Sequence, residues 1–286
     1  KEDCRELINR KFHVSLLALP VLGVILVNVI PIIFMICVAF TNYDMDHQPP
    51  TYLFTWVGLK NFRQLFTSSA TVTFGYAFIR ILFWTLLWAL LATFSTYFGG
   101  IMLAKLINDR QVRWKKMWRT LFVIKIAIPQ FVTLLLVGKM FGGYGIVNSI
   151  CSKTGLTDLL RQIGLVGKGL SYIPFLTKPG WAHVMIVLIN IWVGVPFQML
   201  SATGILMNIP HEQMESAKID GANERQIFWK ITMPYMLFVT GPSLLTALIA
   251  NINNFNVIYL LTTDYVTSNM NYANSNAKEV DLLVTW

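Results

Sequence analysis

Ile209-Pro210-His211-Glu212-Gln213-Met214-Glu215-Ser216-Ala217-Lys218-Ile219-Asp220-Gly221-Ala222-Asn223-Glu224-Arg225-Gln226-Ile227-Phe228-Trp229-Lys230-Ile231-Thr232-Met233-Pro234 is a charged island between two long apolar runs. Its residues spell two short helices. Pro210 suits a first helical position, where its missing N–H would be unpaired in any case. Gly221 suits a left-handed stop, and Asn223 is fit to cap the second helix. Ile227, Phe228 and Ile231 fall at helical spacing, and Pro234 marks the start of the next apolar run. The first helix is short and mixed in polarity. Physics alone leaves two uses open for it: lying on a bilayer, or docking in a groove of a partner protein.

The flanking runs, residues 182–207 and 236–261, are long enough to cross a hydrocarbon core about 30 Å thick at about 1.5 Å per residue. Further runs cover 14–40, 75–106 and 120–141. The first exceeds the core of a signal peptide, about 7–15 residues, and reads as an anchor. The chain is 55% hydrophobic and 13% charged, with a mean hydropathy of +0.56. A soluble domain carries about twice that charged fraction. Backbone groups in lipid have to be satisfied within each segment, and the period-2 alternation of a barrel is absent. The expectation is an all-α polytopic membrane protein.

Lys and Arg crowd alternate connectors. Lys1, Arg5, Arg10 and Lys11 precede the first run. Lys105, Arg110, Arg113, Lys115, Lys116 and Arg119 follow the second, and Lys218, Arg225 and Lys230 follow the fourth. The other connectors spread Lys60, Arg63, Lys153, Arg161, Lys168, Lys178 and Lys278 over longer loops. The N-terminus and the 209–234 connector are therefore expected in the cytoplasm. Five spans then leave the C-terminus outside, and residues 280–286 read as the approach to a sixth span missing from the chain.

Net charge is +9, yet the basic cluster lies between two spans, which argues against nucleic acid. Arg80, Lys125 and Lys139 lie inside the runs, where a charge at the bilayer centre costs about 2.5–3.5 kcal/mol. Arg80 and Lys139 are near run ends and can snorkel. Lys125 is deeper, about 9 Å along a helix from Arg119, and either snorkels to the cytoplasmic face or serves the transported substrate. All 14 acidic residues fall outside the runs. Cys4, Cys37 and Cys151 lie in different regions, no histidine pair has metalloprotease spacing, and no nucleotide-binding G-x-x-x-x-G-K-[ST] occurs. A membrane-embedded enzyme is disfavoured, no catalytic or metal residues are assigned, and no ion filter is visible.

The connector resembles the EAA motif of binding-protein-dependent ABC importer permeases, E-A-A-x-x-x-G with a downstream I-x-x-P. Glu215, Ala217, Asp220, Gly221, Ala222, Ile231 and Pro234 carry the match, and Ser216 replaces the middle Ala. The resemblance implies the ABC importer permease (MetI-like) bundle, with residues 1–74 as an N-terminal segment, first span and external loop. Residues 75–286 would be the permease core, with 208–234 as its cytoplasmic coupling loop. Glu215, Ala217, Asp220, Gly221 and Ala222 would contact an ATPase subunit. The implied partners are a second homologous permease, two ATPase subunits carrying ATP and magnesium, and an extracellular or lipid-anchored sugar-binding protein. This chain itself would hold no cofactor. The location would be a bacterial plasma membrane.

Three further segments resemble the MalF-type maltose and maltodextrin branch: 190–197, 251–255 and 281–284. In that branch residues on the first two contact sugar, which implies Val193, Gly194, Phe197, Asn251 and Asn254 here. The residues alone leave a plainer use open, since amides in a bundle also bind neighbouring helices, at roughly 0.6 kcal/mol each. There are departures. Ala247 and Ala250 stand where a Ser and a Phe are expected, and Ile126, preceded by Lys125, falls at an expected Pro-Tyr pair. These departures imply a wider or differently selective site. A permease for another polyol or for glycerol phosphate is the alternative within the family.

Overall fold

A computed structural model of the chain describes residues 12, 14, 16–43, 46–47, 54–66, 74–109, 112–167, 169–262 and 278–286. Cys4, the cations Lys1, Arg5, Arg10 and Lys11, and also Arg110 and Lys168, lie outside the described residues. The chain divides into two compact units, Lys1–Gly75 and Tyr76–Trp286.

In the first unit, α1 (Leu16–Val38) is apolar apart from Asn28 and long enough to span a membrane. Its middle widens into a π-helical stretch, Ile25–Val29, where the Ile30 N–H reaches back to the Ile25 carbonyl. Pro31 comes next, and a residue without an N–H cannot serve the ordinary α pattern. The loop after α1 is tied to α2 (Lys60–Phe66). Asn61 Nδ2 donates to the carbonyls of Ala39 (2.9 Å) and Thr41 (2.8 Å), and Phe40 stacks on Trp56.

The second unit is built around α3 (Phe74–Asn108). Its 35 residues run about 52 Å, well beyond a hydrocarbon core. Ala77, Ile81, Thr85, Trp88 and Ala92 recur every three or four residues and are buried, as are Ile101 and Ala104 further on. This stripe is the surface on which the other spans pack.

The third span departs from a single continuous helix. It divides into α4 (Lys115–Ala127) and α5 (Gln130–Phe141), separated by Ile128 and Pro129. Proline has no N–H for the Lys125 carbonyl and forces the preceding residue out of helix, so Ile128 is extended at φ −86°, ψ 124°. Two short helices come next, α6 (Ile146–Lys153) and α7 (Leu156–Gln162), in a connector read from sequence as loop. They close over Cys151, Val166 and Ile173, and buried Asn148 pins Gly142 and Ile173.

The fourth span is α8 (Pro179–Leu206), continuous through Pro196. It crosses α3 at small residues. A Cβ on Gly100 would meet Gln198 Cβ at 2.6 Å, and one on Gly194 would meet Thr96 Cγ2 at 2.8 Å. The connector forms α9 (His211–Ile219) and α10 (Glu224–Ile227), which passes through a π-helical stretch, Phe228–Thr232, into α11 (Met233–Ile252). The fifth span also departs from expectation: it breaks at Asn253 and Asn254 and resumes as α12 (Phe255–Thr262).

Residues 278–286 fold back as turns on the bundle. Trp84 Nε1 donates to the Val280 carbonyl (3.2 Å), Leu283 N–H donates to Thr85 Oγ1 (3.1 Å), and the His183 ring bonds the Glu279 carbonyl (3.0 Å). Val280 and Leu282 are buried with Trp88, Ile186 and Ile258 in one core cluster. A second cluster, with Tyr97, Ile101, Met199 and Met236, fills the half of the bundle towards α9.

Candidate functional site

Helix α9 owes its shape to its two ends. Pro210 precedes its first residue as the cap, one place earlier than the sequence suggested. At the other end Gly221 takes φ +79°, a conformation that costs an L side chain roughly 1–2 kcal/mol. Gly221 N–H donates to the Lys218 carbonyl (3.1 Å) and Ala222 N–H to the Ala217 carbonyl (2.9 Å), the paired bonds of a Schellman stop. Asn223 then caps α10 reciprocally: its Oδ1 accepts from Gln226 N–H at 2.8 Å, and Gln226 Oε1 accepts from Asn223 N–H at 2.9 Å. Back-to-back stop and start signals give the connector a fixed bend.

Glu215, Asp220 and Gly221 are exposed, while Ala217 and Ala222 are half-buried and joined by the hydrogen bond just described. Ile219, with 86% of its surface exposed, stands beside them. An open groove of about 520 Å³ runs along α9, lined by Glu212, Gln213, Ser216, Ala217, Asp220 and Ile231. Lys218 pairs with Glu224 across the turn at 3.4 Å, and both are exposed, so this bond adds little.

Asn108, which the sequence pattern did not single out, anchors this end of the bundle together with the cations of the connector. Asn108, the last residue of α3, accepts from Arg119 on α4 at 2.6 Å and donates to Thr203 on α8 at 3.3 Å. Lys115 Nζ donates to the Asn108 carbonyl at 3.2 Å. Lys105 sits 4.7 Å over the Phe228 ring in the π-helical stretch. The basic residues after α3 thus lie at the same end as the start of α4 and the end of α8. A polar residue closing a long apolar helix was the only available signal.

Mid-bundle, Asn251 and Asn254 come together at the break in the fifth span. Asn254 Nδ2 donates to Asn251 Oδ1 at 3.4 Å, and Asn251 Nδ2 donates to Thr93 Oγ1 on α3 at 3.0 Å. Asn254 Oδ1 accepts from the Val257 N–H at 3.3 Å, and the Trp88 indole donates to the Asn251 carbonyl at 3.1 Å. Both amides therefore brace the break. Each carboxamide has a second N–H beyond these bonds.

Val193, Gly194 and Phe197 lie on α8. Gly194 approaches Thr96, one turn along α3 from Thr93, so both halves of the expected sugar site abut the same stretch of α3. Phe197 is 63% exposed and Trp192 56%, so neither ring is covered by the described residues. The Val193 carbonyl accepts a 2.9 Å bond from Lys125 Nζ, which also lies 5.9 Å from the centre of the Trp192 ring. Lys125 is thus turned onto α8. Among the described residues, no three His, Cys, Asp or Glu side chains converge as metal ligands.

Residues 96–278 match the family described as binding-protein-dependent transport system inner membrane component. The chain is 33% identical over 259 residues to the galactooligosaccharides transport system permease protein GanP of Bacillus subtilis, and 34% over 263 residues to the maltodextrin transport system permease protein MdxF of the same organism. These alignments cover 90% and 92% of the chain but 57% of each relative, so the chain spans little more than half their length. The maltose/maltodextrin permease protein MalF of Escherichia coli is 29% identical over 77% of the chain and 40% of its own length. Among solved structures, a bacterial ABC transporter that imports the acidic polysaccharide alginate aligns with a TM-score of 0.64 at 23% identity, covering 98% of the chain and 84% of the matched chain. That likeness establishes a common fold.

Proposed function

Because the chain belongs to the family of binding-protein-dependent transport system inner membrane components, we propose that it is the permease subunit of an ATP-driven importer for oligosaccharides of maltodextrin type. The observation that carries this reading is α9, an exposed helix with a fixed bend, in a connector that bears the EAA pattern and no catalytic groups. In this reading α9 docks on an ATPase subunit through Glu215, Ala217, Asp220, Gly221 and Ala222. The ATPase dimer, loaded with ATP and magnesium, closes and moves the docked helix. Asn108 and Arg119 tie the ends of α3, α4 and α8, so that motion reaches three spans at once.

The sugar path runs along α8 beside the exposed Phe197 and past the break in the fifth span. Val193, Gly194, Phe197, Asn251 and Asn254 are its proposed contacts, with amide N–H groups serving hydroxyls and Phe197 stacking on a ring. A second homologous permease completes the path, and an extracellular or lipid-anchored sugar-binding protein delivers the substrate. The N-terminus and α9 face the cytoplasm, by the placement of Lys and Arg. Co-purification from membranes, with identification of the bound subunits, tests the assembly. Recovery without ATPase subunits or a second permease defeats the proposal.

A further inference from the structure

Helix α4 has two faces, and its contacts settle which is which. Arg119, Phe122 and Lys125 turn inward. Arg119 donates to Asn108 at 2.6 Å, Phe122 packs on the core cluster of Tyr97 and Met236, and Lys125 Nζ donates to the Val193 carbonyl at 2.9 Å. Met117, Trp118, Leu121 and Ile124 recur at helical spacing on the other side, and all are exposed. Trp114, 72% exposed, heads this stripe from the left-handed region at φ +64°.

The cations beside the stripe divide in the same way. Lys115 is committed to the Asn108 carbonyl and Arg119 to the Asn108 side chain. Arg113 and Lys116 are exposed, and among the described residues their side chains have no hydrogen bond or ion pair. Asp109 is the only acid between Lys105 and Lys125, and it is itself engaged. Cations at the start of a helix oppose its dipole, so Arg113 and Lys116 do not serve α4.

We propose that Arg113 and Lys116, flanked by Trp114 and Trp118, bind the phosphodiester headgroup of an anionic phospholipid whose acyl chain lies along Leu121 and Ile124. The proposal goes beyond the transport reading and rests only on the membrane location of the chain. A guanidinium and an ammonium match phosphate oxygens. Indole rings settle at headgroup level, with an apolar body towards the acyl chains and an N–H towards the polar layer. The general placement of Lys and Arg beside spans sets the sign of this connector but asks for no tryptophans. An acidic protein surface would satisfy the cations but leave the apolar stripe below them uncovered. A lipid answers both at once, and each cation near an anionic headgroup adds about fivefold to the affinity.

The test uses the complete complex, purified from membranes and placed in phosphatidylcholine nanodiscs. A minor fraction of the lipid is replaced by phosphatidylglycerol or by phosphatidylcholine, each brominated on the acyl chains. The emission of Trp114 and Trp118 is taken as the difference between the parent and the Trp114→Phe/Trp118→Phe variant. Brominated phosphatidylglycerol is expected to quench it at least threefold more than brominated phosphatidylcholine. Arg113→Gln/Lys116→Gln is expected to abolish that preference, and Arg113→Lys/Lys116→Arg to keep it. Inorganic phosphate is expected to leave the preference as a chloride control of equal ionic strength leaves it. Equal quenching by the two lipids overturns the proposal, as does a preference that survives the Gln pair. Protection from both lipids means that protein covers the stripe and overturns it too. Selective reversal by inorganic phosphate makes the site one for a soluble anion and likewise overturns it.

Discussion

The Ala222 N–H donates to the Ala217 carbonyl at 2.9 Å, and this bond closes α9 around Gly221. The two alanines come together only because Gly221 holds φ +79°. Gly221→Asp places a side chain in a conformation costing roughly 1–2 kcal/mol and sets a second charge beside Asp220. The expected outcome is loss of ATPase subunits on co-purification and loss of uptake. Gly221→Asn, which tolerates the left-handed region, retains both to a large degree. Full association and transport by the Asp variant would remove α9 from the coupling role.

Asn254 is placed to act twice, as a brace through Asn251 and the Val257 N–H and as a proposed sugar contact. Asn254→Leu removes both and is expected to abolish sugar uptake while the subunits still assemble. Asn254→Asp keeps the acceptor for Val257 and removes the carboxamide N–H. Its uptake is expected to fall at least tenfold, and its melting temperature to fall as well because the bond to Asn251 Oδ1 is lost. If Asn254→Asp transports normally, the residue is a brace alone.

The sequence disclosed the connector because its signals are local. Gly221 and Asn223 each act within four residues, and the stop and the cap stand where their chemistry put them, with Gln226 completing the cap. The two broken spans were hidden for different reasons. Pro129 was visible, but proline inside an apolar run is also compatible with a continuous helix, as Pro196 in α8 demonstrates. The break at Asn253 and Asn254 has no Pro or Gly. It is stabilised by Trp88 and Thr93, more than 150 residues away along the chain, and periodicity contains nothing of them. For the same reason the Lys125–Val193 bond, between residues 68 apart, was beyond any reading of spacing.

Glycines of identical propensity are expected to behave in opposite ways according to what stands over them. Gly100→Ala drives a Cβ to 2.6 Å from Gln198 and forces α3 and α8 apart. Overpacking of this kind costs about 1–3 kcal/mol. Gly204→Ala, in the last turns of α8, meets nothing within 4 Å and should stabilise by about 0.5–1 kcal/mol through helix propensity. Thermal unfolding of the two variants in one detergent compares them directly. Equal shifts would mean that α3 and α8 do not cross at Gly100.

Asp281 gives the bundle a pH dependence whose sign can be worked out. Its carboxyl is buried among the turns of residues 278–286, and burial raises its pKa above the ordinary 3.8, an effect reduced by the Lys278 N–H on Oδ2 and by Thr285. A carboxyl with a raised folded-state pKa favours the folded turn while it is protonated. That contribution is complete below about 3.8 and is lost as pH rises through the folded-state value. At neutral pH the fold therefore holds an ionised carboxylate at a cost. Asp281→Asn removes the charge and keeps an acceptor for the Lys278 N–H. Its melting temperature is expected to exceed that of the parent at pH 8 and to converge on it near pH 3. Thermal unfolding across this range, followed by tryptophan emission because Trp84 bonds the Val280 carbonyl, measures the difference. A variant less stable than the parent at pH 8 would show that the ionised carboxylate holds the turn in place.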